Sequence, residues 1–539
     1  MIKKRVCKLC KSETLEKELD KNYFICPYCG NYMSYYGRKR ILALADKGTF
    51  NEWDTSVELS ALINNKEYIE QMKKISHKYE ENDAICTGEI DIDGMHVAIA
   101  AMDIRFMMAS MGYIVGEKIT LMFERATQKQ IPVLIFCCSG GARVQEGIVS
   151  LLQMGKTVAA VKKHSEAGLL YISVLTNPTM GGVLASFALS ADIVLAEKGA
   201  MIGFAGARVV EQNIGIDSFK NYQTAEFQKE CGCIDKIIAR DEVKSYISRI
   251  ISQHKNIGKG VCWSNQKFII QSVNKQMKKY DKWEKVKLAR MIERPSSLDY
   301  IKEIFDEFIE LHGDRISGDD ESIVGGIAYF HGYPVTVIGQ EKGKKSLNEA
   351  IRRNWGMTSP IGFRKSLRLM KQAEKFQRPI ICFIDTIGAA CGIDAETKGQ
   401  AASIAHNLYE MLSIKVPILA IIVGEGASGG ALALAIANEV WMLENSIYSV
   451  VTPESYASII WKDNSRAYDA AQAMTFEAKE LLCSGIIDRV IKEDEIASIH
   501  NIEKICSEVD SEIYQFIMKY SRRGEEAIVN QRYNKFRNF

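Results

Sequence analysis

Two stretches decide the fold of this chain: residues 171–192, "YISVLTNPTMGGVLASFALSAD", and residues 417–440, "PILAIIVGEGASGGALALAIANEV". Each begins as an apolar run typical of a buried strand, passes through a glycine pair and continues as a small-residue run typical of a helix. A strand, a tight turn and a helix N-terminus in this order predict bare backbone N–H groups that point into one small volume. Such donors stabilise an oxygen that becomes negative during a reaction. The sequence therefore predicts two sites of this kind, at Gly181 and Gly182 and at Gly429 and Gly430.

The repeat extends upstream of both glycine pairs. "IPVLIFCCSGGAR" (131–143) aligns with "RPIICFIDTIGAA" (378–390), and a helical stretch follows in each half. The separation from Pro132 to Gly182 is 50 residues, and that from Pro379 to Gly430 is 51. The matching order predicts two α/β domains of one fold, each with a parallel sheet and right-handed crossovers.

The length and composition of the chain are those of an ordinary globular protein with more than one domain. The 539 residues suffice for two large domains and a small module. A charged content of 25% and a net charge of +2 favour neither nucleic acid nor membrane as a general partner. The uncharged stretch 167–191 contains Asn177, Pro178 and the first glycine pair, which favours a buried strand and helix over a membrane span. The start "MIKKRVCKLC" has no apolar signal region, so a cytoplasmic location is expected.

The N-terminus carries two CxxC pairs, Cys7 with Cys10 and Cys26 with Cys29, separated by fifteen residues. Two such pairs at this spacing predict four thiolates around a structural Zn²⁺. The alternative, a redox CxxC motif, does not explain why there are two pairs. A module of this size buries little core, so we expect the metal to supply its folding energy.

The same module is basic and rich in aromatic residues, which allows two interpretations. Aromatic side chains beside Lys and Arg suit weak binding of single-stranded RNA, or the rings pack beneath the ribbon and the charges are solvated. The second interpretation is favoured and the first is kept as an alternative. The aromatic residues are Tyr23, Phe24, Tyr28, Tyr32, Tyr35 and Tyr36.

Longer stretches resemble the carboxyltransferase of bacterial acetyl-coenzyme A carboxylase: "SGGARVQEG", "LDYIKEIFDEFIELHGDR", "IRRNWGM" and "GEGASGGALALAIANEVWMLENSIYSVVTPESYASIIWK". Residues 1 to about 250 are similar to its β subunit and residues from about 280 to 495 to its α subunit, fused in that order. The resemblance implies two crotonase-like (ClpP/crotonase) β-β-α superhelical domains behind a zinc ribbon. The expected parts are the ribbon (1–48), a β-like domain (49–254), a linker (255–282) and an α-like domain (283–539), whose charged tail, 522–539, is expected to be loosely ordered.

The resemblance also implies an activity. A carboxyl group would move from carboxybiotin on a separate carrier protein to acetyl-CoA, giving malonyl-CoA for fatty acid synthesis. By matching, Gly181 and Gly182 would stabilise the thioester enolate, and Gly429 and Gly430 the biotin carbonyl oxygen. Because the chain contains no biotin-acceptor motif and no P-loop, a biotin carboxyl carrier protein and a biotin carboxylase are expected partners, with a homodimer of fused chains as the assembly.

Further positions are implied as substrate-binding residues. For Arg143, a structural ion pair is as compatible with the sequence as binding of a carboxylate or phosphate. For the three lysines of the set, a solvated surface run is the alternative to contact with the CoA phosphates. The set comprises Ser110, Met111, Gly112, Gly140, Gly141, Arg143, Lys342, Lys344, Lys345 and Gly388.

Three departures from the family pattern put the acceptor in doubt. The turn usually written DTPGAYPG reads "DTIGAACG", with changes between Ile387 and Cys391. Met108, Ala109 and Tyr113 replace Gly, Gly and Ser, and a Lys pair (344–345) stands where an Arg is usual. The alternatives are a related carboxyltransferase or decarboxylase acting on another acyl thioester, or an inhibitor-tolerant paralogue.

Overall fold

The computed structural model describes residues 4–63, 65–204, 222–254, 280–343 and 346–539. The chain divides into two units, Met1–Lys255 and Asn256–Phe539, each with its own hydrophobic core. Most of the expected linker (255–279), Lys344 and Lys345 lie outside the described residues. The finer boundaries drawn from the sequence, at 48 and 282, remain predictions.

The first unit contains ten strands and eight α-helices among its described residues. They are β1 (Lys4–Val6), β2 (Glu13–Leu15), α1 (Glu16–Lys21), α2 (Gly37–Leu44), β3 (Asn51–Trp53), α3 (Lys66–Tyr79), β4 (Ile85–Ile92), β5 (Met95–Met102), α4 (Tyr113–Lys129), β6 (Val133–Ser139), α5 (Ile148–Glu166), β7 (Tyr171–Met180), α6 (Gly181–Leu184), β8 (Ile193–Glu197), β9 (Ile202–Gly203), α7 (Ala225–Glu230), β10 (Lys236–Ile238) and α8 (Val243–Ser252).

The second unit contributes eight strands and twelve α-helices to the described part of the chain. They are α9 (Lys282–Ala289), α10 (Ser297–Ile304), β11 (Asp306–Glu310), β12 (Ile323–Phe330), β13 (Tyr333–Gln340), α11 (Leu347–Arg352), α12 (Pro360–Lys375), β14 (Ile380–Thr386), α13 (Ile393–Thr397), α14 (Gln400–Ser413), β15 (Ile418–Ala427), α15 (Ser428–Ala435), β16 (Glu439–Leu443), β17 (Ile447–Ser449), α16 (Pro453–Tyr456), α17 (Ala467–Ala473), α18 (Ala478–Cys483), β18 (Arg489–Ile491), α19 (Ile502–Ser521) and α20 (Glu525–Arg537). Within the described ranges, no helix combines the length and the apolar character needed to cross a membrane.

The two eight-stranded sheets have the same topology. The order is β10-β8-β7-β6-β5-β4-β3 in the first unit and β18-β16-β15-β14-β13-β12-β11 in the second, with β9 on β7 and β17 on β15. In both, the first three strands in chain order are antiparallel and the remaining pairs are parallel. The internal repeat and the α/β fold class predicted from the sequence are therefore confirmed.

The central strands are apolar because both of their faces are covered. Every residue of β6 and β14 is buried, as expected for parallel strands between helical layers. The pairing of β6 with β7 shifts register between Cys137 and Ser139, and that of β14 with β15 shifts between Ile384 and Thr386. These irregularities fall at the carboxyl ends of the strands, where the chain leaves the sheet for the turns that form the candidate sites.

The cysteine ribbon is docked on the first sheet through a buried cluster of charges. Glu197, at the end of β8, accepts hydrogen bonds from Arg40 (2.6 Å) and from Arg240 (2.9 and 3.0 Å). Arg240 also donates to the carbonyl oxygens of Phe24 and Met33 in the ribbon. Burial raises the pKa of Glu197, but the two guanidinium groups outweigh it and lower that pKa to about 2.

The C-terminal segment is held more firmly than its charges suggest. Residues Glu525–Arg537 form α20, and the guanidinium of Arg532 is fully buried. It donates to the carbonyl oxygens of Met411, Ile414 and Val416, in and just after the last turn of α14, where a cation is favoured. The expectation of a loosely ordered tail is therefore wrong.

Replacing Glu197 by Gln should destabilise the docked ribbon, because two buried guanidinium groups lose their counter-charge. We expect a loss of about 3 kcal/mol at pH 7, measured by urea denaturation and by hydrogen exchange over the ribbon. A carboxylate with a lowered pKa stabilises the fold above its unfolded pKa of about 4.3, and this contribution is lost as the pH falls towards about 2. The difference between wild type and Glu197→Gln should therefore shrink over that interval.

The matched control is Glu67→Gln, since Glu67 is an exposed glutamate on α3 of the same unit. It should leave both measurements within about 0.5 kcal/mol of wild type. A Glu197→Gln protein with wild-type stability at pH 7 would contradict the docking role of this cluster.

Candidate active site

In the first unit, β7 ends at Met180 and α6 begins at Gly181. Gly181 has φ = +57°, a conformation that residues with a Cβ rarely adopt. A Cβ there would also lie 3.2 Å from the Cα of Gly141, in the turn that follows β6. The first-turn N–H groups of α6, including that of Gly182, have no acceptor within the helix. Gly181 is thus required by conformation and by close packing.

The second unit repeats this construction with a shift of one residue. Ser139 lies opposite Thr179 in the first sheet, and Thr386 lies opposite Gly426 in the second. The strand β15 ends at Ala427, so the residue that occupies the place of Gly181 is Ser428. Its φ of +66° matches that of Gly181.

The structural counterpart of Gly182 is therefore Gly429, and Gly430 lies one position further into the helix. This explains why the two sequence separations differ by one residue, 50 against 51. A Cβ at Gly430 would lie 2.5 Å from the carbonyl carbon of Gly388, whereas a Cβ at Gly429 would meet only Ile404, at 3.8 Å. A glycine is therefore needed at position 430 for packing against the turn, whereas position 429 has space for a Cβ.

A hydroxyl fixes each turn that faces the helix N-terminus. The Ser139 Oγ accepts the N–H of Gly141 (3.0 Å), and the Thr386 Oγ1 accepts the N–H of Gly388 (3.1 Å). Both glycines have positive φ, +121° and +148°. The two halves thus hold the turn by the same local hydrogen bond, although the residues differ.

The loop before α4 contains a left-handed turn. Met107, Met108 and Ala109 have φ of +46°, +56° and +50°, a conformation that costs roughly 1–2 kcal/mol per residue for side chains with a Cβ. The loop is joined to the glycine turn, since Met108 O accepts the N–H of Gly140 (2.8 Å). The backbone of Met111 likewise exchanges hydrogen bonds with the turn.

Arg143 is wholly buried and fixes the backbone of this loop by hydrogen bonds. Its guanidinium donates to both oxygens of Asp83 (2.6 and 2.7 Å) and to the carbonyl oxygen of Ser110 (2.6 Å). Burial opposes the charge, but Asp83 outweighs it and raises the pKa of Arg143. Of the two interpretations left open by the sequence, this geometry favours the structural ion pair.

Glu146 completes the same network and was not singled out from the sequence. Its carboxylate accepts the hydroxyl of Tyr68 and the backbone N–H of Tyr113 (2.6 Å), the first residue of α4. A Cβ at Gly112 would lie 2.7 Å from the carboxyl carbon of Glu146, so Gly112 makes room for this contact. Tyr68, Asp83 and Glu146 lie up to 78 residues apart in the chain, and no local pattern indicates that they meet.

The second unit has a cavity of about 370 Å³ beside its glycine turn. Ile387 and Trp355 line it, together with a buried group of charges. Lys342 lies 2.7 Å from both Asp385 and Glu425. Burial opposes the charge on Lys342, but the two carboxylates raise its pKa. Since its ammonium is already paired, Lys342 is poorly placed for the CoA phosphates that the resemblance implies.

The four ribbon cysteines come together as the spacing predicts. Their Sγ atoms all lie within 4.8 Å of one another, and two of the separations are 3.7 Å. A tetrahedral Zn²⁺ with Zn–S bonds of about 2.3 Å has S–S edges of about 3.8 Å. All four are free thiols, and the cluster fits a metal ion of this geometry.

The ribbon aromatics are largely used in packing. Phe24 stacks on Tyr35 with ring centroids 5.0 Å apart, and Tyr36 packs edge-on against Phe24. The hydroxyl of Tyr32 accepts the backbone N–H of Arg240, and Tyr28 is exposed. This favours packed rings over a stacking surface for nucleic acid.

Comparison with known proteins agrees with this architecture. A family model described as acetyl co-enzyme A carboxylase carboxyltransferase-like matches residues 224–539. The acetyl-coenzyme A carboxylase carboxyl transferase subunits beta/alpha of Clostridium tetani is 45% identical over 531 residues, covering 98% of this chain and 92% of the relative. The protein of the same name from Natranaerobius thermophilus is 46% identical over 546 residues, covering 98% and 90%.

Two solved structures share the fold. Transcarboxylase 12S, described as a hexamer assembly with methylmalonyl-coenzyme A and methylmalonic acid bound, superposes with a TM-score of 0.74 at 19% identity, covering 94% of this chain and 92% of that one. A single-chain, multi-domain long-chain acyl-CoA carboxylase gives 0.66 at 17% identity, covering 89% and 46%. At these identities the likeness concerns the fold alone. The near-complete match to the beta/alpha relatives shows that the chain belongs to the acetyl-coenzyme A carboxylase carboxyl transferase family, in the form that joins the β and α subunits in one polypeptide.

Proposed function

We propose that this chain moves a carboxyl group from carboxybiotin, presented by a separate carrier protein, to acetyl-CoA and so produces malonyl-CoA. The observation that carries the proposal is the doubled construction of a strand, a close-packed turn and a half-buried helix N-terminus, one in each unit. The reaction generates two oxyanions, and two sets of backbone donors meet that requirement.

In the proposed reaction, the N–C bond of carboxybiotin breaks first and gives CO₂ and a ureido anion, which keeps the electron pair of that bond. This anion takes the α-proton of acetyl-CoA, and the thioester becomes an enolate. The backbone N–H groups at Gly181 and Gly182 would stabilise the enolate oxygen. The enolate carbon then forms a C–C bond to the carbon of the released CO₂, which gives malonyl-CoA.

The second set of donors would stabilise the ureido oxygen. The sequence assigned this role to Gly429 and Gly430. The register argues for Ser428 and Gly429 as the counterparts of the first pair, with Gly430 supporting the turn from within the helix. The N–H of Gly429 is therefore the donor on which we place most weight.

The ureido anion itself would take the α-proton, so that biotin leaves neutral and no charge is left unbalanced. The charged groups around both turns support this assignment. Asp83 and Arg143 are paired in the first unit, and Lys342 is paired with Asp385 and Glu425 in the second. Carboxylates held in this way are poor general bases.

The proposed partners follow from the chemistry. A biotin carboxylase must form carboxybiotin, and a biotin carboxyl carrier protein must deliver it, because the reaction consumes one carboxybiotin for each malonyl-CoA. A homodimer of fused chains remains a prediction. A structural Zn²⁺ held by Cys7, Cys10, Cys26 and Cys29 is the metal that the thiol cluster fits.

Gly429→Ala tests the second donor set. The added methyl meets only Ile404 at 3.8 Å, so the fold should tolerate it and the melting temperature should be within about 2 °C of wild type. The methyl narrows the space beside the first-turn N–H groups, and we expect kcat for malonyl-CoA formation to fall at least tenfold. One lost oxyanion donor costs about a hundred- to a thousandfold. The assay uses biotin carboxylase, carrier protein, ATP, bicarbonate and acetyl-CoA.

The control is Gly155→Ala, an exposed position inside α5 with open space around its Cβ. It should gain about 0.5–1 kcal/mol in stability and keep full activity. Full activity of Gly429→Ala would show that the oxygen does not approach there. Gly430→Val is a poor test, because any side chain at that position collides with the turn at Gly388.

Cys26→Ser tests the metal. We expect the zinc content, measured by elemental mass spectrometry, to fall from about one ion per chain to near zero, and hydrogen exchange in the ribbon to accelerate because the metal supplies its folding energy. Cys483→Ser, at an exposed cysteine outside the cluster, should change neither. Full zinc occupancy in the Cys26→Ser protein would rule out this ligand set.

A further inference from the structure

Among the three left-handed residues of the loop before α4, only Met108 has a side chain that is more than half exposed. Ala109 is fully buried, and Met107 packs against the core of the first unit. The side chain of Met108 is 57% exposed. A strained conformation persists where the surroundings or the function demand it, and for Met108 the core makes no such demand on the side chain.

Met108 contacts the glycine turn that packs against the candidate oxyanion site. Its carbonyl accepts the N–H of Gly140 at 2.8 Å, and a Cβ built at Gly140 would lie 3.3 Å from the Cβ of Met108. The adjoining Gly141 is the residue against which Gly181 packs. Met108 therefore contacts the turn that packs against the helix N-terminus, one residue before Gly141.

The second unit offers an internal comparison. Trp355 occupies the same place as Met108: each is the middle residue of a short left-handed turn and lies three residues before a bridge to the glycine turn. Trp355 has φ = +51° and is 43% exposed. It lines the 370 Å³ cavity together with Ile387, the counterpart of Gly140. At this topological position, a large apolar side chain is therefore the wall of a cavity.

We propose that Met108 is a specificity-determining residue, which forms a wall of the acyl pocket and selects against acyl groups larger than acetyl. This inference rests on the proposed function. The acceptor carbon of propionyl-CoA carries one additional methyl group, and an apolar wall discriminates a single methyl by about 10- to 200-fold. Because the methionine side chain is unbranched and adaptable, the exclusion is graded and not absolute.

The experiment compares wild type, Met108→Gly, Met108→Ala and Met108→Leu with acetyl-CoA and propionyl-CoA, in the full chain supplied with biotin carboxylase and carrier protein. Products are separated by mass spectrometry as malonyl-CoA and methylmalonyl-CoA. The ratio of kcat/KM for acetyl-CoA to that for propionyl-CoA should fall at least tenfold in Met108→Gly, fall less in Met108→Ala and stay within threefold of wild type in Met108→Leu. The change should come mainly from propionyl-CoA.

Gln130→Gly is the matched control for backbone strain. Gln130 is an exposed non-glycine residue with φ = +55° at the end of α4. Met108→Gly and Gln130→Gly should both raise the melting temperature, since glycine adopts this conformation without cost, but only Met108→Gly should change the acyl ratio. A shift of similar size in Gln130→Gly would attribute the effect to stability and overturn the assignment.

The possible failures are distinguishable. An unchanged ratio in a folded Met108→Gly protein overturns the role of Met108 and leaves the carboxyltransferase assignment intact. An equal loss of activity with both thioesters also overturns it, because a wall that only excludes bulk is not needed by the smaller substrate. A wild-type chain that carboxylates neither thioester overturns the proposed function and this inference with it.

Discussion

The closeness of two backbone turns in each unit is the constraint on which the rest of the structure depends. The helix N-terminus after β7 or β15 packs closely against the turn after β6 or β14. A Cβ at Gly181 would lie 3.2 Å from the Cα of Gly141, and a Cβ at Gly430 would lie 2.5 Å from the carbonyl carbon of Gly388. Parallel strands bring these two segments to one edge of the sheet, and the irregular register at the strand ends releases them from the ladder. Unpaired N–H groups result at a fixed place, because the backbone that carries them cannot relax without losing that packing.

Buried ion pairs beside the turns support this arrangement, and the residues that form them differ between the units. In the first unit, Arg143 joins Asp83 to the carbonyl oxygen of Ser110 and so fixes the left-handed loop. In the second, Lys342 lies between Asp385 and Glu425. Buried ion pairs of this kind contribute little net stability, but leaving one of their charges unpaired is costly. They therefore select one geometry of the loop.

The sequence predicted the features that depend on local or repeated patterns: the two sheets, the turns and the cysteine cluster. It did not reveal the one-residue shift, because two glycine pairs look identical in a sequence, whereas the end of β15 decides which residue takes the left-handed position. Ser428 takes it, against its own preference. The loop at Met108 was likewise hidden, since Met and Ala rarely adopt that conformation. The docking of α20 depends on Arg532, and its burial is not distinguishable from a solvated charge by composition.

In the proposed reaction, two similar sites would serve different oxygens. The backbone plan is shared, but nearly every side chain on it differs: Gly140 is replaced by Ile387, and Met108 by Trp355. A backbone N–H stabilises any oxyanion of suitable geometry, so the shared plan provides the stabilisation and carries little information about the ligand. Selection therefore falls to the side chains around the turns. In this chain the left-handed loop residue is large and exposed in both units, although a glycine would be less strained, which is the pattern expected where a wall is retained at the expense of stability.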